Sequence, residues 1–268
     1  LHDRLWKALV GFYNRCDLVV GVTGTAIRYL EQHGLRRPAR IISNGVDLAA
    51  FRPRPRQAAL AAKLGLPAKP TVLYTGRLDP EKRVDLLVEA VPLLRARLDA
   101  HFIIGGDGSA KAKLMAEAAR LGVAEHVTFT GFLASAEYPL IYSLADVFAI
   151  ASPAELQSIV TLEAAASGLP VVAANAGALP ELVHHGRNGY LFPEGNGEQL
   201  AEQLSILLGD AERRRWMGAQ SRAIARQHDL RRSIAQYERL YQEVTRHHRP
   251  AGVGVLLGLG HPASPDLD

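Results

Sequence analysis

Two glutamates stand in a segment that follows a short apolar run. The segment from Ala151 to Pro170 reads ASPAELQSIVTLEAAASGLP and places seven residues between Glu155 and Glu163. An open α/β sheet binds ligands at the carboxyl ends of its strands, so we expect Glu155 at the mouth of a crevice and Glu163 about one turn into the following helix. The spacing equally fits a helix-dipole acid at Glu155 and a surface acid at Glu163.

Two groups that bind anions accompany these acids. The helix that carries Glu163 offers first-turn N–H groups, from about Gln157 to Val160, that have no acceptor inside the helix. The segment GRLDPEKR places Arg77 and Lys82 five residues apart across a turn. A guanidinium binds two phosphate oxygens at once and an ammonium adds a point charge, so this pair suits a diphosphate. An ordinary charged helix start is the alternative.

The elements that must position these residues alternate along the chain. Six short apolar runs are typical of strands buried on both faces of a parallel sheet. They are Thr71 to Thr75, His101 to Gly105, His126 to Thr130, Asp146 to Ala151, Pro170 to Ala174 and Tyr190 to Phe192. Helical periodicity separates them at Glu81 to Leu98, Ala110 to Leu121, Ile159 to Ser167 and Leu179 to His184. The pattern predicts a doubly wound parallel α/β sheet of the Rossmann-like kind.

The chain divides into four predicted segments. Residues 1–46 carry only two strand patterns with their helices, too few to cover a sheet, so we expect the remnant of a preceding α/β domain. The sheet described above occupies 47–228, a C-terminal helix occupies 229–247, and 248–268 has no helical period and is expected to be disordered. Arginines after Gly197 are mixed with acids, which favours a solvated face over a membrane-surface helix.

Composition excludes several classes of protein. The 268 residues are 48% hydrophobic and 22% charged, which suits a folded chain with a substantial core. The single cysteine, Cys16, excludes an internal disulfide and a cysteine-rich zinc site. Aromatic residues make up 6% and are not interleaved with Lys and Arg, so nucleic acid is disfavoured, whereas the net charge of +4 favours other anionic partners. No apolar run approaches the roughly 20 residues that cross a bilayer.

Six stretches in a fixed order resemble the C-terminal half of a retaining GT-B glycosyltransferase of the group-one, or family-four, class. They are SNGVDLAAFRP, VLYTGRLDPEKRVDLLVEA, FIIGGDG, VTFTGFL, ELQSIVTLEAAASGLPVVA and GALPELVHHGRNGYLF. Glu155 and Glu163 correspond to the E-x7-E element of that family. Each match is weak by itself, and the shared order over residues 17–245 carries the resemblance.

The resemblance implies a role for each matching residue. Arg77 and Lys82 would hold the donor diphosphate and act as electrophilic catalysts, and Glu155 would contact the donor sugar beside the reacting carbon. Glu163 would bind the ribose hydroxyls. The remaining implied contacts are those of the backbone of Ser158, Ile159 and Val160 with sugar and phosphates, and of the main chain of Leu133, after Gly131, with the base. Apart from the resemblance, we expect Gly177 to let a loop approach the sugar.

The implied activity is transfer of a hexose from a nucleotide-diphosphate sugar to an unknown glycan, lipid or small-molecule acceptor, with retention and without a metal or cofactor. Alternatives are a GT-B phosphorylase or sugar-nucleotide epimerase, and a non-catalytic nucleotide-binding module. With most of the acceptor domain expected to be missing, we expect this chain alone to be inactive. We expect a cytoplasmic location, with peripheral contact at the inner face of a membrane as a further option.

Several details bear on these expectations. Many family members carry Phe-Gly after the first acid, where this chain has Leu156-Gln157-Ser158, so we expect an intact site with an altered sugar preference. The glycines from Gly105 to Gly108 lack the third glycine of the dinucleotide fingerprint and are interpreted as a turn near the nucleotide. Three further patterns are not expected to bind metal, namely His184-His185, His247-His248 and Asp266-Leu267-Asp268.

Overall fold

The main sheet of the protein is parallel throughout. The structure is a computed structural model and describes residues 2–247. Within that range six strands pair in the order β5-β4-β3-β6-β7-β8. Their bounds are β3 Thr71–Thr75, β4 His101–Gly105, β5 Val127–Gly131, β6 Val147–Ile150, β7 Val171–Ala174 and β8 Gly189–Phe192. The doubly wound parallel sheet predicted from the apolar runs is confirmed.

Helices connect these strands and cover the sheet. In chain order after the N-terminal segment, the helices are α3 Ala58–Lys63, α4 Val84–Arg95, α5 Lys111–Arg120, α6 Tyr138–Ile141, α7 Ile159–Ala166, α8 Leu179–Leu182, α9 Gly197–Gly209, α10 Ala211–Ala225 and α11 Leu230–His247. Strands β3, β4, β6 and β7 are buried along their whole length, because helices pack against both faces. In α4 the apolar positions recur at helical spacing and form the buried face.

The strand order places a topological switch point between β3 and β6. The chain runs outward from β3 to β5 on one side and from β6 to β8 on the other. Loops that leave the carboxyl ends of β3 and β6 therefore diverge and leave a crevice between them, which is where doubly wound sheets bind ligands.

The N-terminal segment forms a small separate sheet. Strands β1 Val19–Gly21 and β2 Ala39–Ile41 pair in parallel and are flanked by α1 His2–Tyr13 and α2 Gly24–Gln32. Helix α11 reaches this segment, since Arg40 and Glu243 form an ion pair of 2.7 Å. The division into a remnant, a donor domain and a C-terminal helix stays a prediction.

Two stretches of chain cross side by side between the N-terminal segment and the main sheet. The amide of Val46 donates to the carbonyl of His228 at 2.8 Å, and the amide of Leu230 donates to the carbonyl of Val46 at 3.1 Å. The imidazole Nδ1 of His228 lies 2.9 Å from the hydroxyl of Ser43. We call residues 43–46 with 228–230 the double crossing.

Some sequence expectations differ from the structure. The helix predicted from Glu81 begins at Val84, because Pro80–Lys82 form a 3-10 turn and Arg83 adopts a left-handed φ of 51°. Short helices α3 and α6 are absent from the sequence prediction, since six and four residues are too few to show a period. Residues 248–268, with the expected disorder and the Asp266-Leu267-Asp268 pattern, lie outside the described residues.

The expectation of a solvated arginine face is wrong for Arg222. Its guanidinium donates to the carbonyls of Ala166 at 2.6 Å, Phe51 at 2.7 Å and Leu48 at 3.1 Å. These carbonyls belong to the end of α7 and to the linker before α3. Arg222 therefore ties α10 to both segments and is a structural residue.

Candidate functional site

The crevice at the switch point brings a cation and an acid into contact. Lys82 lies in the loop after β3 and Glu155 in the loop after β6, and the Lys82 Nζ lies 2.7 Å from the Glu155 Oε1. The Lys82 side chain is 20% exposed and that of Glu155 is 12% exposed. The pair is therefore sheltered and still open to a ligand. Residues 73 positions apart in the sequence meet because β3 and β6 are neighbours.

Arg77 lies at the same edge of the sheet, but its guanidinium is bound elsewhere. It contacts Asp79 at 2.7 Å and Glu81 at 3.0 Å, both in its own loop, and its side chain is 66% exposed. Ion pairs of this kind, with an exposed guanidinium, are weak, so a phosphate competes with them easily. Arg77 borders the crevice. Among the described residues, it forms no hydrogen bond with Lys82 or Glu155.

A cavity of about 280 Å³ opens beside this loop. Strand ends and turns supply its walls, which are Thr75, Gly76, Arg77, Gly105, Gly106, Gly131, Phe132, Leu133 and Tyr138. The predicted base-binding residues Gly131 and Leu133 both line it. Six of the nine are glycines or aromatic residues, which give a flat ligand room between backbone and rings. The turn expected after β4 contributes Gly105 and Gly106 to the same wall.

Glu163 lies behind the cavity on α7 and is 8% exposed. Its Oε2 accepts hydrogen bonds from the hydroxyls of Tyr142 at 2.6 Å and Tyr138 at 2.7 Å. Burial raises the pKa of the Glu163 carboxyl, and the two tyrosine hydroxyls oppose that rise because they stabilise the ionised form. The alternative of a surface acid at this position is wrong.

The first turn of α7 follows directly on the loop that carries Glu155. Ser158 is its N-cap, and the Ser158 hydroxyl accepts from the Thr161 amide at 3.3 Å. The amides of Ile159 and Val160 begin the helix and have no acceptor within it. The structure thus places Ser158, Ile159 and Val160 between Glu155 and Glu163, with N–H groups suited to anionic oxygens.

Gly177 supports the loop that carries Glu155. It adopts a φ of +55°, and a Cβ there would lie 2.9 Å from the carbonyl oxygen of Glu155. The next amide, of Ala178, donates to that carbonyl at 2.9 Å. Gly177 therefore allows two loops to approach each other closely, so its contact is with the backbone of Glu155.

Gln157 faces away from the crevice, toward the double crossing. Its side-chain oxygen accepts from the Asn44 amide at 2.7 Å, and its amide nitrogen donates to the hydroxyl of Ser43 at 3.0 Å and the carbonyl of Val22 at 3.1 Å. Nearby, the hydroxyl of Thr23 donates to the carbonyl of Leu156 at 2.8 Å. The departure from Phe-Gly thus links the acid loop to the N-terminal segment, and its effect on sugar preference stays a prediction.

A second link between the two segments was missed by sequence reasoning. Glu181, at the start of α8, accepts hydrogen bonds from the amides of Thr25 at 2.6 Å and Gly24 at 3.0 Å. These amides begin α2. Burial acts to raise the pKa of Glu181, but hydrogen bonds from the Thr25 hydroxyl and from the two amides outweigh it and lower that pKa. The sequence showed only an acid after Pro180, which fits its own helix equally well.

Tyr138, Tyr142 and Phe132 were also missed as parts of the site. Tyr138 and Phe132 line the cavity, and Tyr142 is fully buried behind it. In the sequence Tyr142 follows apolar residues, which predicts only that it is part of the hydrophobic core. Only its distance from Glu163, 21 residues further along, reveals the bond.

In the part of the chain that the structure describes, no three His, Cys, Asp or Glu side chains are grouped so as to hold a metal ion. His185 accepts a hydrogen bond from the Leu191 amide at 3.1 Å and meets the Tyr190 ring edge to face, so it has a structural role. Among residues 2–247, no helix combines the length and apolarity needed to span a bilayer.

Comparison with known families gives one match over the sheet. The sequence profile described as "Glycosyl transferases group 1" matches residues 69–210, more than half of the chain. This range contains Arg77, Lys82, Glu155 and Glu163.

Among curated proteins, a GDP-mannose-dependent alpha-(1-6)-phosphatidylinositol monomannoside mannosyltransferase from Mycobacterium tuberculosis is 38% identical over 216 residues. The match covers 77% of this chain and 56% of that protein. Sulfoquinovosyl transferase SQD2 from Arabidopsis thaliana is 36% identical over 72% of this chain and 37% of its own length. The chain thus spans about half the length of such relatives, or less.

Among solved structures, HepE from Anabaena in complex with UDP and glucose superposes with a TM-score of 0.82 at 28% identity. The match covers 90% of this chain and 67% of that one. The same fold is therefore found in a protein whose crystals contain a nucleotide and a sugar.

Proposed function

Because the chain belongs to the group 1 glycosyl transferases, we propose that it binds a nucleoside diphosphate sugar in the crevice between β3 and β6 and serves transfer of that sugar to an acceptor. The observation that carries the proposal is the sheltered contact of Lys82 with Glu155 at the switch point, 2.7 Å across. A cation for the diphosphate and an acid for the sugar then stand side by side.

The diphosphate is proposed to lie against Lys82, Arg77 and the first turn of α7. Departure of a nucleoside diphosphate places negative charge on its phosphate oxygens, and fixed cations and N–H groups stabilise that charge as it develops. On donor binding Arg77 exchanges its exposed partners Asp79 and Glu81 for phosphate oxygens. This set of donors belongs to the chain itself, so we propose that transfer requires no added metal or cofactor.

The sugar and nucleoside are proposed to bind on either side of the diphosphate. Glu155 contacts the sugar hydroxyls next to the reacting carbon, with Gly177 holding its loop and the backbone of Ser158, Ile159 and Val160 close to sugar and phosphates. Glu163 binds the ribose, and the base occupies the 280 Å³ cavity against Gly131 and Leu133.

Retention of configuration is proposed to follow from attack by the acceptor on the face that the diphosphate leaves. A double displacement would need Glu155 as nucleophile. Its carboxylate is bound to the Lys82 ammonium at 2.7 Å, which lowers its nucleophilicity. We therefore assign Glu155 to stabilising positive charge on the sugar.

The acceptor is proposed to carry a lipid or a phosphorylated polyol. Relatives named for phosphatidylinositol monomannoside and D-inositol 3-phosphate support this class. An enzyme with a lipid acceptor works at a membrane surface, so we propose a peripheral, cytoplasmic-face location for the parent protein. Since the chain covers 56% of such a relative, we propose that by itself it binds donor without transferring sugar.

Titration calorimetry with UDP and GDP tests the proposal on this chain. The wild type should bind one of the two, and Lys82→Ala should weaken that binding roughly tenfold or more, because a charge-assisted bond contributes about 1.5–3 kcal/mol. Lys69→Ala is the matched control, since Lys69 pairs with Asp99 at 2.7 Å away from the crevice. Equal affinity of wild type and Lys82→Ala would refute the site, and phosphate-dependent release of sugar phosphate by the parent protein would favour a phosphorylase.

A further inference from the structure

A chain of hydroxyl groups ends on one oxygen of Glu163. Thr75 and Tyr142 hydroxyls lie 2.9 Å apart, and Tyr142 lies 2.6 Å and Tyr138 2.7 Å from the Glu163 Oε2. The two tyrosine oxygens are themselves 3.1 Å apart. Thr75 and Tyr142 are 1% exposed, so these groups have no bulk water to complete their bonds.

The proton positions in this chain follow from counting donors. Each tyrosine hydroxyl has one proton, and an ionised carboxylate can only accept. Tyr138 and Tyr142 therefore both donate to Glu163, and Thr75 must donate to Tyr142. Burial raises the pKa of Tyr138 to about 12 and raises the pKa of Tyr142 well above its ordinary value, so both hydroxyls stay protonated. A single arrangement satisfies every group when Glu163 is ionised.

In this arrangement the second carboxylate oxygen of Glu163 receives no proton from the described residues. Within the described residues Oε1 of Glu163 accepts no hydrogen bond, whereas Oε2 accepts two. Tyr138 also forms part of the cavity wall. The two tyrosines thus occupy Oε2, and Oε1 remains able to accept a hydrogen bond from a ligand.

We propose that Tyr138 and Tyr142 are positioning residues that keep Glu163 ionised and turn its free oxygen toward the sugar of a nucleotide, so that the site selects ribose over 2′-deoxyribose. The inference rests on the proposed function, because it requires that a nucleoside diphosphate occupies the crevice. A ribose presents two adjacent hydroxyls as donors to one carboxylate oxygen, and a 2′-deoxyribose presents one.

The test compares UDP and GDP with their 2′-deoxy counterparts by titration calorimetry. The variants are Tyr142→Phe, Tyr138→Phe and the control Tyr190→Phe, whose hydroxyl accepts from Arg213 at 3.2 Å on β8. The wild type should prefer the ribonucleotide roughly tenfold, the effect of one hydrogen bond to a charged group. Tyr142→Phe and Tyr138→Phe should each reduce this preference to about threefold or less, and Tyr190→Phe should leave it unchanged.

The pH profile of the preference separates positioning from packing. Tyr138 and Tyr142 are the titratable groups that contact Glu163, and both lower its pKa. The ratio of ribonucleotide to deoxynucleotide affinity should fall as pH drops through the pKa of Glu163, and in Tyr142→Phe this fall should begin at a higher pH. Titration of the phosphates is common to both nucleotides and cancels in the ratio.

Each result bears on a different statement. Full ribose preference in both tyrosine variants, with an unshifted pH profile, would overturn the inference and leave the proposed function standing. Failure of the wild type to bind any of the four nucleotides would refute the proposed function and the inference together. If Tyr142→Phe melts before the titration temperature, Tyr138→Phe alone decides, since its ring borders the cavity.

Discussion

Replacement of Gly177 by alanine tests how the acid loop is supported. The left-handed conformation at φ +55° costs a residue with a Cβ about 1–2 kcal/mol. The new Cβ would also lie 2.9 Å from the Glu155 carbonyl oxygen and 3.1 Å from the Pro153 carbonyl oxygen, so the loop must move by a few tenths of an ångström. Overpacking of this kind adds about 1–3 kcal/mol. We expect Gly177→Ala to lower the free energy of unfolding by roughly 2–5 kcal/mol.

The chain offers a matched control for the backbone part of this effect. Gly65 has a φ of +63°, and a Cβ there would meet no atom within 4 Å. Gly65→Ala should therefore lose only the conformational part, about 1–2 kcal/mol. In a chain of this size 1 kcal/mol shifts the midpoint of thermal unfolding by about 2–4 °C, so the two variants are separable by calorimetry.

Nucleotide binding distinguishes loop displacement from general instability. Because Glu155 contacts Lys82, a shift of its loop should weaken UDP or GDP binding by Gly177→Ala severalfold, while Gly65→Ala binds like the wild type. If Gly177→Ala matched Gly65→Ala in both melting temperature and affinity, the argument that this glycine holds Glu155 in place would be refuted.

Three further substitutions test other parts of the fold. Arg83→Gly should stabilise the chain by up to about 1 kcal/mol in thermal melts, because Arg83 has a left-handed φ of 51°; a loss of stability would contradict this. Gln157→Ala should cost about 2–3 kcal/mol in urea unfolding, since it leaves the Asn44 amide without its acceptor, and Gln157→Glu should restore part of that loss. Burial lowers the pKa of His101 to about 4, so the unfolded state binds more protons between pH 6.5 and 4 and stability falls as pH drops through that range. His101→Gln should remove part of that fall in stability. The measurement is the difference between the urea midpoints at pH 7.5 and pH 4.5. If the variant shows the same difference as the wild type, His101 is not the source of the fall.

The sheet was predictable from sequence because each central strand is buried on both faces. A strand in that environment is apolar at consecutive positions, and Thr71–Thr75 and His101–Gly105 match the structure at both ends. The contact of Lys82 with Glu155 was predictable in outline, since both follow strands that end at the same edge. The present partners of Arg77 were not, because they depend on side-chain conformations within one loop.

Contacts between distant segments left no periodic signal in the sequence. The tyrosines that bind Glu163 belong to α6 and to the turn that follows it, and burial alone would explain their presence. Gln157 binds Asn44, which lies 113 residues earlier, across a junction that only the fold creates. Such residues become visible as parts of a site only when the strand order is known.

The double crossing at Val46 and His228 has a mechanical consequence. Two backbones joined by hydrogen bonds of 2.8 Å and 3.1 Å resist twisting between the parts that they connect, since a single backbone could rotate and the pair cannot. Bending about an axis that crosses both backbones meets less resistance. A movement of the N-terminal segment relative to the sheet would accordingly be a bend about one axis, and it would act on the hydrogen bond between Gln157 and Val22.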